Sequence, residues 1–308
     1  MSRAGKSTLS SSKTVNKDFI LRFVMNKYFF TTPLLVVICA FLSCNAANAQ
    51  EIISMKAENS ADAIVSVMSY NIHNGTGRDG IRDYGRIARV IKKIDPDVVA
   101  LQEVDSVNAR NGNVNGAAEI ANAAGMHWTF GASLKNFRGG AYGNAILSKE
   151  KPLSYKNIPL ESPNDEDRAL LIAEFKDYYF CCVHLSLNDT DREESCVTIL
   201  NEMRKLSGKK LIFLCGDFNS LPNSRAIALL IQSFDVLSNA RAMTFPSDKP
   251  DRTIDYICLY KNRAGKNLIK NFKEGKNGLA TWVQPETTAS DHRPEAAVII
   301  RGTNFIQR

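Results

Sequence analysis

Short apolar runs recur through this sequence, and each is joined directly to an acid, an amide or an imidazole side chain. One of them, LIFLC at 211–215, leads into Gly-Asp-Phe-Asn, which carries Asp217 and Asn219. Apolar runs bounded by turn-forming residues are typical of buried strands. Because side chains two apart on an extended chain point the same way, we expect Asp217 and Asn219 to face one spot. The alternative is a simple turn, since Asp and Asn often bond their own backbone.

Further strand-like runs have the same arrangement, and helix-like segments separate them. The runs and their polar neighbours are 65–70 with Asn71, 97–101 with Gln102 and Glu103, 180–183 with His184, 254–259 with Asp255, and 296–300 with Asp291 and His292. A short strand is also expected at 145–148, and helices are predicted after the N-cap Asp83, at 117–124 before Gly125, and at 191–206. No low-complexity linker interrupts this alternation. We therefore predict one domain at 62–302, after a short linker at 50–61 and before a tail at 303–308.

The N-terminal segment has the features of an export signal. A basic, Ser-rich leader precedes an apolar run, and Ala47-Asn48-Ala49 then matches an A-x-A cleavage pattern. The run is shorter than the roughly 20 apolar residues of a membrane span, so we favour cleavage near Ala49 over a transmembrane anchor. A lipoprotein site at Cys44 is another alternative, although Leu42 stands one place later than such a site requires. We predict that residues 1–49 are a long leader with a signal peptide, that translation starts at Met1 or Met25, and that the mature chain is secreted or periplasmic.

The net charge of +7 lies mostly in this leader. Residues 1–49 hold six lysines and arginines against the single acid Asp18, so about +2 remains for the mature chain. A near-neutral chain offers little of the basic surface that tracks a nucleic-acid backbone.

The mature chain keeps five of the seven cysteines, and an odd number leaves at least one thiol unpaired within the chain. Cys181, Cys182 and Cys215 lie in apolar runs, where we predict small buried side chains. The cysteine and histidine spacing does not indicate a zinc site.

The polar residues beside the strands are of the types that bind a hard metal ion and a phosphate group. They are the carboxylates Glu103, Asp217, Asp255 and Asp291, the amides Asn71 and Asn219, and the imidazoles His184 and His292. Carboxylate and amide oxygens suit Mg²⁺, Mn²⁺ or Ca²⁺. Each residue alone has an ordinary structural explanation, such as a loop acid, a buried histidine or a turn. Because the arrangement recurs at six strands, we predict that their ends meet on one rim and form a single site.

The motifs also stand in an order that resembles a known superfamily. They are Ser69-Tyr70-Asn71-Ile72-His73, Leu101-Gln102-Glu103, Gly143-Asn144-Ala145-Ile146-Leu147-Ser148, His184-Leu185, Gly216-Asp217-Phe218-Asn219, Ile254-Asp255-Tyr256-Ile257 and Ser290-Asp291-His292-Arg293-Pro294. Together they resemble the endonuclease/exonuclease/phosphatase superfamily, the deoxyribonuclease I-like metal-dependent hydrolases, over nearly the whole mature chain. LQE, GDFN and SDH are specific as a set, whereas each alone is weak.

This resemblance implies a fold, a reaction and a cofactor. The fold is a four-layer α-β-β-α sandwich of the α/β (α+β) class, with two mainly antiparallel mixed β-sheets flanked by helices. The reaction is cleavage of a P–O bond by water with a divalent cation, Mg²⁺ or Mn²⁺. By matched position, Glu103 would be the main metal ligand, with Asn71 beside it and Asp291 near the metal.

The resemblance also implies roles for the remaining residues of the set. Asp217 would orient or deprotonate the attacking water, and Asn219 would hold that water or a phosphoryl oxygen. His292 would contact the phosphate while Asp255 fixes its tautomer, because an imidazolium stabilises developing negative charge. His184 would bond the phosphate or assist the leaving group.

Two further positions have weaker support from the sequence. His73 follows Asn71 by two residues, so on an extended strand it would face the same side and border the site. Arg168 would aim its guanidinium at phosphate, or else form a surface salt bridge.

Three functions compete at this stage. A secreted phosphoesterase acting on a lipid head group or small phosphate ester is favoured over a secreted deoxyribonuclease I-like endonuclease, and both would use the same catalytic core. Specificity is expected from loops such as 74–82, 107–116 and 136–142, which carry Arg78, Arg82, Arg110 and Arg138. A catalytically inactive binding protein is the third candidate, and the complete residue set argues against it. We expect a monomer without a stable protein partner.

Overall fold

A computed structural model describes residues 63–206, 208–239 and 241–301. The predicted leader and signal at 1–49, cleavage near Ala49, the alternatives at Met25 and Cys44, the linker at 50–61 and the tail at 303–308 lie outside the described residues and stay predictions. Within the described part of the chain, no helix combines the length and apolar character needed to cross a membrane.

The described residues form two β-sheets and flanking helices. The strands are β1 (Ala63–Asn71), β2 (Val98–Ser106), β3 (His127–Phe137), β4 (Gly140–Ser148), β5 (Ser154–Leu160), β6 (Arg168–Glu174), β7 (Tyr178–His184), β8 (Leu211–Asp217), β9 (Phe234–Val236), β10 (Asp255–Tyr260), β11 (Asn277–Val283) and β12 (Glu295–Arg301). The helices are α1 (Tyr84–Ile94), α2 (Gly116–Ala124), α3 (Asp189–Lys205), α4 (Arg225–Leu230) and α5 (Arg263–Lys273). Short 3₁₀ turns occupy His73–Gly75 and Ala109–Asn111.

Each sheet has six strands and one parallel pair inside it. The first sheet has the order β11-β12-β1-β2-β4-β3, and the second has the order β5-β6-β7-β8-β10-β9. Only β1 with β2, and β7 with β8, pair in parallel among these neighbours. A parallel pair needs a long crossover, and α1 and α3 provide it in the two sheets. The two mixed, mainly antiparallel sheets flanked by helices confirm the predicted fold class.

Three buried layers hold the sandwich together, because the side chains of each strand alternate between two faces. In β1, Val65 and Val67 face the second sheet, whereas Met68 and Tyr70 face α1 and α2. The third layer joins the outer face of the second sheet to α3 and α4. Its members include Cys181, Val183, Cys196, Ile199, Ala226 and Ile227.

Several predicted elements have different limits in the structure. The strand predicted at 97–101 continues as β2 to Ser106, and the strand predicted at 145–148 begins earlier, at Gly140. The helix predicted from residue 191 begins at Asp189, because Asn188 accepts hydrogen bonds from the first free backbone amides. Asp83 caps α1 as predicted. The cysteines at 181, 182, 196, 215 and 258 are all buried free thiols.

Candidate active site

The alternation of side chains brings four polar residues to one end of the space between the sheets. Asn71, His184 and Asp217 end β1, β7 and β8, and Asp255 begins β10. His184 and Asp255 both pair with Asp217 across the second sheet. Each side chain lies on the same face of its strand as residues that fill the layer between the sheets. Cys215, two residues before Asp217, is one example. All four are buried, so the sandwich closes around them.

A β-bulge in β2 directs the Glu103 side chain into the same site. Leu101 pairs with Ala145 and Val104 with Gly143, so two residues of β2 oppose the single residue Asn144. Glu103 takes a left-handed conformation with φ of 59°, which is uncommon for a residue with a side chain. Regular alternation would send Glu103 toward the helix side of the sheet, away from Asn71. The bulge is therefore the local feature that delivers this carboxylate.

Asn71 links the two sheets at the centre of the site. Its Nδ2 donates to Glu103 Oε1 at 3.0 Å and to Asp217 Oδ2 at 3.1 Å. The Ser290 hydroxyl donates to the Asn71 carbonyl oxygen at 2.7 Å, which anchors the loop carrying Asp291. One amide thus fixes the relative positions of two carboxylates from different sheets.

His292 lies between two buried carboxylates. Its Nδ1 is 3.0 Å from Asp255 Oδ2, and its Nε2 is 3.6 Å from Asp217 Oδ2. Burial acts to lower the pKa of His292, but the charges of Asp255 and Asp217 outweigh it and raise the pKa to about 10. Burial raises the pKa of Asp217 to about 7. At neutral pH, His292 is therefore an imidazolium whose Nε2 faces the site.

His184, unlike His292, is neutral at pH 7. Burial, followed by the charges of Arg168 and His292, lowers its pKa well below the usual histidine range. Asn219 Nδ2 lies 3.1 Å from His184 Nε2 and donates to the Leu185 carbonyl oxygen at 2.9 Å. A neutral His184 that accepts at Nε2 from Asn219 satisfies both contacts.

The extended-chain argument for Asn219 and His73 is wrong, although both residues lie near the site. Asn219 has a φ of 46° and follows the end of β8, and its backbone N–H donates to Asp217 Oδ1 at 2.8 Å. The turn considered as the alternative is thus present. His73 lies in a 3₁₀ turn, half-exposed, with Nδ1 4.0 Å from Asp291 Oδ1. It stands at the rim because the chain turns after β1, not because the strand continues.

A cavity of about 850 Å³ opens over these residues. Its lining comprises Glu103, Tyr142, Glu166, Arg168, His184, Leu187, Arg192, Asp217, Asn219, Leu221, Phe245, Asp251, Arg252, Ile254, Asp291 and His292. The structure therefore collects Glu103, Asp217, Asp291, Asn219, both imidazoles and Arg168 around one cavity. Asp255 does not line the cavity and instead contacts His292. Asn71 lies behind Glu103 and Asp217.

The walls of this cavity were largely missed by the sequence reasoning. Of the loops expected to set specificity, 74–82 and 107–116 do not line the cavity, and 136–142 contributes only Tyr142. Phe245 packs against His292 with ring centroids 4.7 Å apart, and Arg252 lies over the Phe245 ring. The sequence did contain one signal for this wall. The segment before β10 carries an aromatic residue and an arginine, and it must lead to the site because Asp255 is the first residue of β10.

Arg168 is buried rather than part of a surface salt bridge. It is 6% exposed, and its Nη1 donates to Glu166 Oε1 at 2.5 Å. Its Nε has no hydrogen-bond partner within the described chain. A guanidinium held this way beside the cavity is placed for a ligand.

The four loop arginines that a nucleic acid would have used are engaged within the protein. Arg78 and Arg110 form ion pairs, Arg82 donates to a carbonyl oxygen, and Arg138 lies over an aromatic ring, which stabilises a cation. Their partners are Asp248 for Arg78, the Asn74 carbonyl oxygen for Arg82, buried Asp105 for Arg110, and the Phe137 ring for Arg138.

Two groups of residues could hold a metal ion. Asp217, Asp255 and His292 bring ligand atoms within 4.8 Å of one another. However, His292 is already bonded to Asp255 and protonated, so its imidazole is a poor ligand. Glu103, Asn71 and Asp291 offer oxygen ligands instead. In the described residues no lysine or arginine forms an ion pair with Glu103 or Asp291, so these acids fit a hard cation.

Comparisons with known proteins agree with this geometry. The sequence model of the Endonuclease/Exonuclease/phosphatase family matches residues 68–292. Comparison with curated proteins gives no match. Similar solved structures include an endonuclease/exonuclease/phosphatase from Beutenbergia cavernae, with a TM-score of 0.59 and 21% identity over 77% of this chain and 72% of that one.

Two other similar structures come from individually named proteins. A mannosyl-6-phosphatase from Bacteroides thetaiotaomicron has a TM-score of 0.61 and 16% identity, over 76% of this chain and 99% of that one. A truncated TDP2 from Caenorhabditis elegans has a TM-score of 0.55 and 17% identity, over 77% and 97%. At these identities the likeness establishes the shared fold.

Proposed function

Because the chain belongs to the endonuclease/exonuclease/phosphatase family of phosphoester hydrolases, we propose that it is a Mg²⁺- or Mn²⁺-dependent hydrolase of a small or lipid-linked phosphate ester. The observation that carries this proposal is the bonding around Asn71 and His292. Asn71 joins Glu103 to Asp217, and Asp255 and Asp217 hold a protonated His292 opposite them. Carboxylates for a cation and an imidazolium for an anion thus face one cavity.

In this proposal, Glu103, Asn71 and Asp291 would hold the cation, which when bound would neutralise charge on the phosphoryl oxygens. Asp217 orients the attacking water and accepts its proton at the carboxylate. His292 donates from Nε2 to a phosphoryl oxygen and is kept protonated by Asp255. The water oxygen bonds to phosphorus, the ester P–O bond breaks, and the leaving alkoxide takes a proton from solvent water, to which Asp217 then returns the proton that it accepted. Positioning and charge stabilisation are sufficient roles for such a reaction.

Asn219 and His184 complete the machinery on the other side of Asp217. Neutral His184 accepts from Asn219 and so fixes the amide, whose oxygen then faces the cavity for water or a phosphoryl group. His73 contributes at the rim through Asp291.

Two observations favour a small ester over a nucleic acid. The cavity of about 850 Å³ is in the size range of small-molecule sites. The loop arginines are already paired or stacked within the protein, so they offer little to a nucleic-acid backbone. Export to the periplasm or medium and a monomeric state without a stable protein partner remain part of the proposal.

A substrate panel tests the proposal. Purified protein would be assayed on plasmid DNA, RNA, sphingomyelin, phosphatidylinositol phosphates, soluble inositol phosphates and bis-p-nitrophenyl phosphate, each with Mg²⁺ and with EDTA. We expect Mg²⁺-dependent turnover of a non-nucleic-acid ester. Plasmid nicking at catalytic enzyme concentrations would establish the nuclease instead, and inactivity on all esters without metal binding would favour a binding protein.

A further inference from the structure

Glu295 is a buried acid to which the proposed reaction gives no role. It begins β12 and is 1% exposed. Its side chain lies on the face of β12 that carries Ala297, which fills the layer between the sheets. Asp255, the partner of His292, lies on the face of β10 that carries Ile257 in the same layer. Two acids are thus buried in one layer behind His292.

The two oxygens of the Glu295 carboxyl have different surroundings. The Ser238 hydroxyl accepts from the Ile257 N–H at 3.1 Å, so its own hydrogen is left to donate to the Glu295 carboxyl. The other oxygen, Oε2, has no hydrogen-bond partner in the described part of the chain. Ser69, which pairs with Glu295 across β1 and β12, likewise has a hydroxyl without a partner there.

The surroundings also determine the charge of Glu295. Burial raises the pKa of Glu295 well above its usual range, and the charge of Asp255 raises it further. Among the described residues no lysine, arginine or histidine forms an ion pair with it. Glu295 is therefore a neutral carboxylic acid at neutral pH. Because Ser238 donates to one oxygen, the proton lies on Oε2, which makes this atom a buried donor without an acceptor.

Asp255 offers the acceptor that this donor lacks. Its Oδ2 is 3.0 Å from His292 Nδ1, whereas its Oδ1 is buried without a partner in the described chain. A buried donor and a buried acceptor each cost free energy when they are left unpaired, so a link between them is favoured. One buried water can complete such a link, and the Ser69 hydroxyl would then be its third partner.

We propose that Glu295 is a positioning residue whose carboxyl O–H is hydrogen-bonded to Asp255 Oδ1, directly or through one buried water, and so fixes the carboxylate that orients His292. This inference rests on the proposed function, in which His292 Nε2 donates to a phosphoryl oxygen. A carboxylate held at one oxygen can rotate about its Cβ–Cγ bond, whereas one held at both oxygens must first break a hydrogen bond. A small misplacement of a reacting group is costly in rate.

Two substitutions separate a positioning role from a purely structural one. Glu295→Gln keeps an oxygen for Ser238 and an N–H for Asp255, so we expect kcat/KM on the best ester from the panel to stay close to wild type. Glu295→Met keeps the length of the side chain but removes the donor. We expect it to lower kcat/KM by about 10- to 100-fold, as when other groups that orient a functional side chain are removed.

Glu202→Met is the matched control, because Glu202 is also buried but lies on α3, where it pairs with Lys156 outside the cavity. It should retain wild-type kcat/KM. Wild-type kcat/KM in Glu295→Met, or equal losses in Glu295→Gln and Glu295→Met, would overturn the proposal.

Infrared spectroscopy tests the hydrogen bond without substrate, and so separates this inference from the proposed function. The difference between wild type and Glu295→Gln at neutral pH should contain the C=O stretch of a protonated carboxyl. In an Asp255→Ala background the same difference should show this band at higher frequency, because the acceptor of the O–H is gone. A missing band, or one at the same frequency in both backgrounds, would reject the link even in an active hydrolase. A shifted band in a protein that hydrolyses none of the esters would support the link and reject the proposed function.

Discussion

His292 is the side chain whose charge the site controls most directly. It is 4% exposed and has Asp255 at 3.0 Å on one ring nitrogen and Asp217 at 3.6 Å on the other. Burial disfavours the imidazolium, but the two carboxylates outweigh burial and raise the pKa of His292 to about 10. An anionic substrate therefore meets a cationic histidine at neutral pH.

The pH dependence of kcat/KM follows from these shifts. Asp217 must be deprotonated to accept a proton from water, and burial raises its pKa to about 7. Activity should therefore decrease as the pH falls through about 7. His292 must stay protonated, so the alkaline limb should lie near pH 10. Of the two carboxylates, Asp255 raises the pKa of His292 more. Asp255→Asn removes its charge, so we expect the alkaline limb to move to lower pH. An alkaline limb that stays in place in this variant would contradict the assignment.

Loss of a metal ligand or of the imidazolium should abolish activity while the fold persists. We expect Glu103→Ala and His292→Ala each to lower kcat/KM by about 10²- to 10³-fold, the range measured when a single charge-stabilising group is removed. His127→Ala is the control, since His127 is exposed on β3 outside the site. Circular dichroism would show whether the fold is retained. Wild-type rates in either site variant would reject the site.

Glu295 illustrates a residue that no motif or spacing indicates. It is 1% exposed, it pairs with Ser69 across β1 and β12, and its Oε2 has no hydrogen-bond partner in the described chain. Burial, reinforced by the charge of Asp255, raises the pKa of Glu295 well above the usual range. Its neutral state depends on burial and on Asp255, which is distant in the chain, so the local sequence does not indicate it.

Glu295→Gln should stabilise the protein at neutral pH but not in acid. The folded protein keeps the Glu295 proton above the unfolded pKa of 4.5, whereas the unfolded chain loses it, so wild-type stability falls as the pH rises. Relative to the Gln variant, the loss is up to about 1.4 kcal/mol per pH unit until the folded pKa is reached. Urea denaturation at pH 4 and pH 7 measures this loss, and the control is Glu119→Gln, because Glu119 is exposed on α2. A difference that does not change with pH would show that Glu295 is not buried in neutral form.

At the scale of elements, the existence of strands and helices could be predicted, but their local irregularities could not. Ile87, Val90, Ile91 and Ile94 form the buried face of α1, because helical spacing depends on neighbours in the chain. The bulge at Glu103 depends on Asn144 in a different strand, and nothing within 97–103 specifies it. The motif residues lie together at one end of the sheets, as the sequence predicts. The directions in which Glu103 and Asn219 point depend on left-handed backbone that simple alternation does not contain.

Gly216 is the glycine at which an added Cβ would make the shortest contact with a neighbouring strand. A Cβ there would lie 1.9 Å from the Val183 carbonyl oxygen, so β7 and β8 approach closely between His184 and Asp217. Gly216→Ala should separate these strands, lower the free energy of unfolding by about 1–3 kcal/mol and reduce activity. Gly208→Ala, where a Cβ meets nothing within 4 Å, is the matched control. Equal stability and activity in the two variants would show that the close approach is unimportant.

At the scale of the whole molecule, the alternating runs predict strands and helices and the family resemblance implies the sandwich, but neither indicates the cavity. The polar ends of β1, β7, β8 and β10 meet because both sheets present them at one end. The walls come from turns before β6 and β10 and after β7, whose positions depend on tertiary packing. Family resemblance therefore indicates the reaction, whereas substrate choice requires the walls.

The central claim, that this site directs water to phosphorus with a divalent cation, is tested most directly by hydrolysis in H₂¹⁸O. The best ester from the panel would be hydrolysed with Mg²⁺ or EDTA, by wild type and Glu103→Ala, and the products analysed by mass spectrometry. We predict ¹⁸O in the phosphate product, none in the alcohol, and no turnover in EDTA or in the variant. Label in the alcohol, or turnover that persists in EDTA, would contradict the account.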